Sequence, residues 1–167
     1  KSVADFYSSK RDFVAEYSQK LTDSLKQKSF TEGDIQEAAV QDAVIKILSQ
    51  FDTTHGGFGS APKFPMPNIY QFLMNYHFHT KDSKSMEAIR ITLDKMANGG
   101  IYDHLGGGFA RYSTDEIWKV PHFEKMLYDN AGLVSLYSNA YKVTGNDLYK
   151  KIVYETLEFI EREMTDE

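Results

Sequence analysis

Apolar residues recur every three or four positions along most of this chain, the period of one helix face turned toward a core. Val3, Phe6, Phe13, Val14, Tyr17, Leu21 and Leu25 predict a first long amphipathic helix ending around Lys28. A second follows from Thr31, which suits an N-cap, with acidic residues in its first turn and a stripe of Ile35, Ala38, Ala39, Ile47, Leu48 and Phe51. The third starts near Pro67 or Asn68 and turns Ile69, Phe72, Leu73 and Tyr76 to one side. Asp82 or Ser83 caps a fourth, marked by Met86, Ile89, Leu93, Met96 and Ala97, which stops at Asn98-Gly99-Gly100. The fifth is predicted from about Pro121 to Val143, with Phe123, Met126, Leu127, Asn130, Leu133, Val134 and Tyr137 inward, and Asn146 caps a sixth. Strand signals are confined to residues 100–119, where Phe109-Ala110-Arg111-Tyr112 reads as one arm of a short irregular hairpin.

Six helices joined alternately by short and long connections read as three antiparallel hairpins, an all-α fold in one domain over residues 1–167. Both long loops, about 51–66 and 99–120, leave an even-numbered helix and enter an odd-numbered one, so they share a rim. They also share a phrase. Gly56-Gly57-Phe58 followed by Pro62-Lys63-Phe64 returns about fifty residues on as Gly107-Gly108-Phe109 followed by Pro121-His122-Phe123. Such recurrence marks a repeated helical hairpin with one kind of loop, and long loops in a compact helical domain usually carry function. The second copy has the richer polar decoration and is expected to hold the chemistry.

Composition narrows the classes. With 41% hydrophobic and 26% charged residues the chain is globular, and its 14% aromatic share suits a thick core or an aromatic-lined cleft. A net charge of −5 without a Lys/Arg cluster argues against nucleic acid. The absence of Cys excludes a disulfide framework and thiolate chemistry and is compatible with a cytoplasmic setting. No run approaches the ~20 apolar residues of a membrane span. A chain opening at Lys1 without Met reads as a processed piece.

Three runs are similar to the thioredoxin-domain-containing family that includes spermatogenesis-associated protein 20: FDTTHGGFGSAPKFP over 51–65, GIYDHLGGGFARYSTD over 100–115 and WKVPHFEKMLYDNA over 118–131. The resemblance implies a longer protein, with an upstream thioredoxin-like domain and a six-hairpin α/α toroid similar to N-acylglucosamine 2-epimerase and six-hairpin glycosidases. Three hairpins would then be about half a toroid. Such a piece should leave an apolar flank that favours dimers, and is expected to turn over little substrate alone.

On the predicted fifth helix His122, Lys125 and Asp129 fall at i, i+3 and i+7, flanked by Glu124, Tyr128 and Asn130. They either line a polar site at a helix N-terminus, or Lys125 and Asp129 are an ordinary i, i+4 pair and His122 a cap. For the sugar 2-epimerisation implied by the resemblance, His104 and His122 would supply base and acid, and Arg111 would stabilise the enediolate oxygen. A glycosidase would need Asp103 with Asp129 or Glu124 instead. Trp118, Tyr112, Phe64 and Tyr128 could stack on a sugar or pack beneath the glycine loops, and Lys63 is a site charge or a rim lysine. The catalytic expectation is thus His104, Arg111, His122 and Asp129, with no cofactor and no metal. His77 and His79, two apart on a helix, point in different directions, and Gly106-Gly107-Gly108 lacks dinucleotide-turn spacing. The competing expectation is a non-catalytic platform on which the rim docks a thioredoxin-like domain or another protein.

Overall fold

The computed structural model describes residues 2–26, 33, 34 and 36–166. It falls into two compact units, one ending at Gln36 and one beginning at Glu37. The first holds α1 (Ser2–Ser9) and α2 (Arg11–Lys26). The single long helix expected there is interrupted at Lys10, yet the ladder carries through it: the Lys10 N–H donates to Phe6 O and its carbonyl accepts from Val14 N, both at 3.0 Å. The stripe of Phe13, Tyr17, Leu21 and Leu25 is exposed. The expected N-cap at Thr31 and helix end at Lys28 lie outside the described residues.

The second unit holds α3 (Glu37–Ser49), α4 (Pro67–Thr80), α5 (Ser83–Asn98), α6 (Leu127–Thr144) and α7 (Asp147–Met164). Two hairpins, α4–α5 and α6–α7, pack side by side with α4 on α6, α5 on α7, and α3 against α5. Their tight corners follow from local chemistry. Asp82 caps α5 by accepting from Ser85 N at 2.8 Å, and Lys81 closes α4 in a left-handed conformation. Gly145 takes φ 67° at the end of α6, and Asn146 caps α7 by accepting from Leu148 N at 3.0 Å. The core between the hairpins is Tyr70, Leu73, Ile89, Leu93, Met96, Leu133, Leu136, Tyr137, Tyr149 and Ile152.

One helix boundary differs from expectation. The helix predicted from Pro121 begins at Leu127, because residues 120–124 run extended beside 111–114. Arg111 N–H donates to Glu124 O at 2.7 Å, His122 N–H to Tyr112 O at 2.9 Å and Thr114 N–H to Val120 O at 2.8 Å. Phe123, expected inward, is 95% exposed. His122, Lys125 and Asp129 therefore do not form a helical stripe. The irregular hairpin expected over 100–119 appears as single bridges, Tyr102 with Phe109 and Ser113 with Pro121, and Ser113 also bridges to Lys63 of the first loop.

Candidate functional site

The two long loops repeat one hydrogen-bonded module almost atom for atom. In the first, Asp52 N–H donates to Gly57 O (3.0 Å) and Asp52 O accepts from Gly56 N (2.8 Å), while Oδ1 accepts from Thr54 N and His55 N, both at 2.9 Å. In the second, Asp103 N–H donates to Gly108 O and Asp103 O accepts from Gly107 N, both at 2.9 Å. Its Oδ1 accepts from Leu105 N (3.0 Å) and Gly106 N (2.9 Å). The glycine pairs have φ of 72° and 81°, then 76° and 80°, the left-handed region that favours glycine. A Cβ on Gly107 would stand 2.3 Å from Glu155 O, so helix α7 seats the second loop too closely for any side chain there.

A lysine staples each module. Lys63 Nζ donates to Asp52 Oδ2 and Gly56 O, both at 2.8 Å, and Lys125 Nζ donates to Asp103 Oδ2 at 2.8 Å and Gly107 O at 2.7 Å. An inward aromatic completes each: Phe58 stacks on Tyr70 and Phe109 on Tyr137, both with centroids 5.4 Å apart. Partial burial pushes the Asp52 carboxyl up, but the Lys63 bond and the His55 and Thr54 amides outweigh it and hold the pKa down at about 2. The Gly106 amide, then Lys125, hold Asp103 well below the usual carboxylate range.

These contacts revise several expected roles. Lys63, Trp118 and Asn130 have no exposed surface and serve the scaffold. Trp118 bolts the loops together: Nε1–H donates to His55 O at 2.9 Å, and the Lys63 ammonium lies 5.6 Å from its ring centroid. Asn130 clamps the second loop, accepting from Phe109 N at 2.7 Å and donating to Phe109 O at 3.1 Å. Lys125 pairs with Asp103, not with Asp129.

What the second loop adds gathers in a cleft of about 430 Å³ between the starts of α4 and α6, lined by Phe64, Pro67, Arg111, Tyr128, Asp129 and Gly132 among others. Arg111 Nη1 donates to Asp129 Oδ2 at 2.8 Å and also to the Tyr128 hydroxyl. The guanidinium sits 5.3 Å from the Tyr128 ring centroid and 5.9 Å from that of Phe64. Slight desolvation works against its charge, but Asp129 prevails and raises the Arg111 pKa. Neither helix start receives a side-chain cap from its N-cap residue, Met66 for α4 and Met126 for α6.

Beside the cleft, three rings form a ladder: Phe64 against Tyr112 at 4.9 Å, then Tyr112 stacked on His122 at 4.7 Å and 18°. His122 Nδ1 lies 3.8 Å from Glu124 Oε2, and both side chains are about half exposed. His104 occupies a different hollow of about 410 Å³, with Ile101, Leu105, Phe123, Asp103 and Lys125. There its Nε2 meets Gly99 O at 2.9 Å. Arg111, Tyr128 and Asp129 thus converge, His122 flanks them across Tyr112, and His104 faces elsewhere. Among the described residues no three His, Cys, Asp or Glu side chains are placed to share a metal ion, and no helix is long and apolar enough to cross a membrane.

No family model matches the chain. It is 39% identical over 173 residues to spermatogenesis-associated protein 20 of Homo sapiens and 38% identical to that of Mus musculus, each match covering 98% of this chain and 22% of the relative. The chain therefore spans about a fifth of the length of these curated relatives. Among solved structures it is similar to a sugar epimerase from a ruminal bacterium, with TM-score 0.66 and 18% identity over 74% of this chain and 35% of that one. It is also similar to cellobiose 2-epimerase from Spirochaeta thermophila, with TM-score 0.65 and 21% identity over 74% of this chain and 33% of that one. The fold is all-α and matches about a third of these α/α-toroid chains.

Proposed function

From a chain that matches one stretch of spermatogenesis-associated protein 20 along 98% of its own length, we propose that the Arg111–Tyr128–Asp129 cleft belongs to a sugar-binding, sugar-isomerising site of the longer protein. The likeness to sugar epimerases supports a toroidal setting, and the duplicated loop carries the functional part of the proposal. Both copies of the module share the Asp–Gly–Gly–aromatic turn and its lysine staple. Three and four positions past Lys63 stand Met66 and Pro67, whereas three and four past Lys125 stand Tyr128 and Asp129. The first copy folds without the polar cluster, so the cluster is surplus to the scaffold. Arg111 and Asp129 supply a fixed cation and a carboxylate beside exposed aromatic faces, the set that recognises a ring of hydroxyls, and the Tyr128 hydroxyl stands next to them.

In the proposed reaction a carbon-bound proton beside the substrate carbonyl passes to Asp129 Oδ1, which has no hydrogen-bond partner among the described residues. The C–H electrons form the enediolate, and the guanidinium of Arg111 stabilises the oxygen that gains charge. His122 and Glu124 flank the entrance, and His104, in its separate hollow, is a second proton-transfer candidate only if the substrate spans both. The test is deuterium uptake at C2 of reducing sugars in D2O, followed by proton NMR with the full-length protein. Uptake that disappears in Arg111→Met and Asp129→Asn supports the reading, and absence of uptake across aldoses, 2-acetamido sugars and disaccharides refutes it.

One observation favours a second reading, a docking platform. Leu105 and Phe123 are 101% and 95% exposed on the same rim, flanking the His104 hollow. Replacing both with Ser would then weaken association with the parent protein's other domain and leave deuterium uptake unchanged.

A further inference from the structure

We infer that Tyr128 is the group that protonates the substrate's carbonyl oxygen in this cleft, an assignment that rests on the sugar-isomerising reading above. By sequence Tyr128 is one more ring that could stack on a sugar. In the structure its ring lies beside the Arg111 guanidinium, 5.3 Å from the centroid, and its hydroxyl meets that same group at the cleft wall. That oxygen accepts a hydrogen bond from Arg111 Nη1. A phenol carries a single proton, and with a cationic donor on its lone pair the O–H must point away from Arg111. No acceptor among the described residues takes that bond, and the side chain is more than half exposed at the cleft wall.

The group therefore has one donor capacity, an open direction to use it, and a neighbouring cation that stabilises the phenolate left behind. Asp129 shares the same Arg111 nitrogen, so base, acid and cation are tied into one arrangement. The step balances without any further reagent. As Asp129 Oδ1 takes the proton from the carbon beside the carbonyl, the C–H pair becomes the new C=C bond. The carbonyl π pair moves onto oxygen, and that oxygen receives the Tyr128 proton. Reversal on the same face regenerates the sugar, carrying deuterium where Asp129 has exchanged with solvent, and return of the carbon proton to the opposite face gives the C2 isomer.

The experiment compares Tyr128→Phe with wild type in the full-length protein, reading sugar affinity by calorimetry and C2 deuterium uptake by NMR. Phenylalanine keeps the ring under Arg111 and removes only the hydroxyl. A general acid is worth 10²–10⁴-fold, so uptake should fall at least about 100-fold, with KM and sugar Kd changed less than about threefold and the melting temperature unchanged. Uptake within about fivefold of wild type overturns the assignment of Tyr128 while leaving the sugar site standing. A parallel loss of Kd and kcat also overturns it, because that marks a binding or structural role. A wild-type protein that binds sugar but exchanges nothing, or binds none, refutes the parent reading and this inference with it.

Discussion

Replacing Lys63 should destabilise the fold far more than replacing Lys125, although both make the same two hydrogen bonds. The Lys63 side chain is 0% exposed and that of its partner Asp52 is 23% exposed; for Lys125 and Asp103 the figures are 23% and 39%. Removing one partner of a buried ion pair costs about 3–5 kcal/mol because the other charge is stranded, and Asp52's remaining access to water places Lys63→Met near the bottom of that range, about 3 kcal/mol. The second pair is screened by solvent and is worth about 1 kcal/mol or less. With a urea slope of about 2 kcal/mol/M, the midpoint should fall by about 1.5 M for Lys63→Met and by no more than about 0.5 M for Lys125→Met, read by far-ultraviolet circular dichroism. Adding Asp52→Asn to Lys63→Met should recover part of the loss, since no carboxylate is then left unpaired. Equal midpoint shifts for the two lysines, or a double variant less stable than Lys63→Met, would refute this reasoning.

Three further outcomes follow from the same contacts. Asp52 is held at about 2 against an ordinary 3.8; a lowered folded-state pKa stabilises above the unfolded value, so on the order of 2 kcal/mol should be present above about pH 4 and lost as pH falls toward 2. Lys63→Met should flatten that acid limb, which stability measurements between pH 5 and 2 would reveal. Gly107→Ala, forced against Glu155 O, should cost more than about 3 kcal/mol, while Gly59→Ala, at φ 72° with open space around it, should cost about 1 kcal/mol of backbone strain; chemical denaturation checks the difference. Trp118→Phe should cost about 2–3 kcal/mol, since it opens a cavity and leaves His55 O without its donor, and a variant as stable as wild type would contradict the bolt described here.

The sequence made the helices legible where a capping residue or a proline marked their ends. Asp82, Asn146 and Pro67 set boundaries that the structure keeps, and the doubled Gly-Gly-Phe phrase correctly places both loops on one rim, now joined through Trp118 and the Lys63–Ser113 bridge. The start of α6 was not legible, because Phe123, Met126, Leu127 and Asn130 imitate helical spacing while the backbone before Leu127 is committed to pairing with residues 111–114. The staples were hidden by a difference in loop length. Lys63 lies 11 residues after Asp52, but Lys125 lies 22 after Asp103, so the equivalence emerges only when the two turns are superposed in hydrogen bonds. Of the expected catalytic set, Arg111 and Asp129 meet directly, His122 stands behind Tyr112, and His104 is drawn away by the Gly99 carbonyl.

Scaffold and site should separate cleanly at Arg111, and one comparison tests this: the urea midpoint and the sugar-induced rise in melting temperature of Arg111→Met, measured on the full-length protein beside wild type. A midpoint lowered by no more than about 0.5 M, with the sugar-induced rise abolished, is the predicted result. A midpoint lowered by more than about 1 M with the sugar response intact would mean that Arg111, Tyr128 and Asp129 hold the rim together and bind nothing.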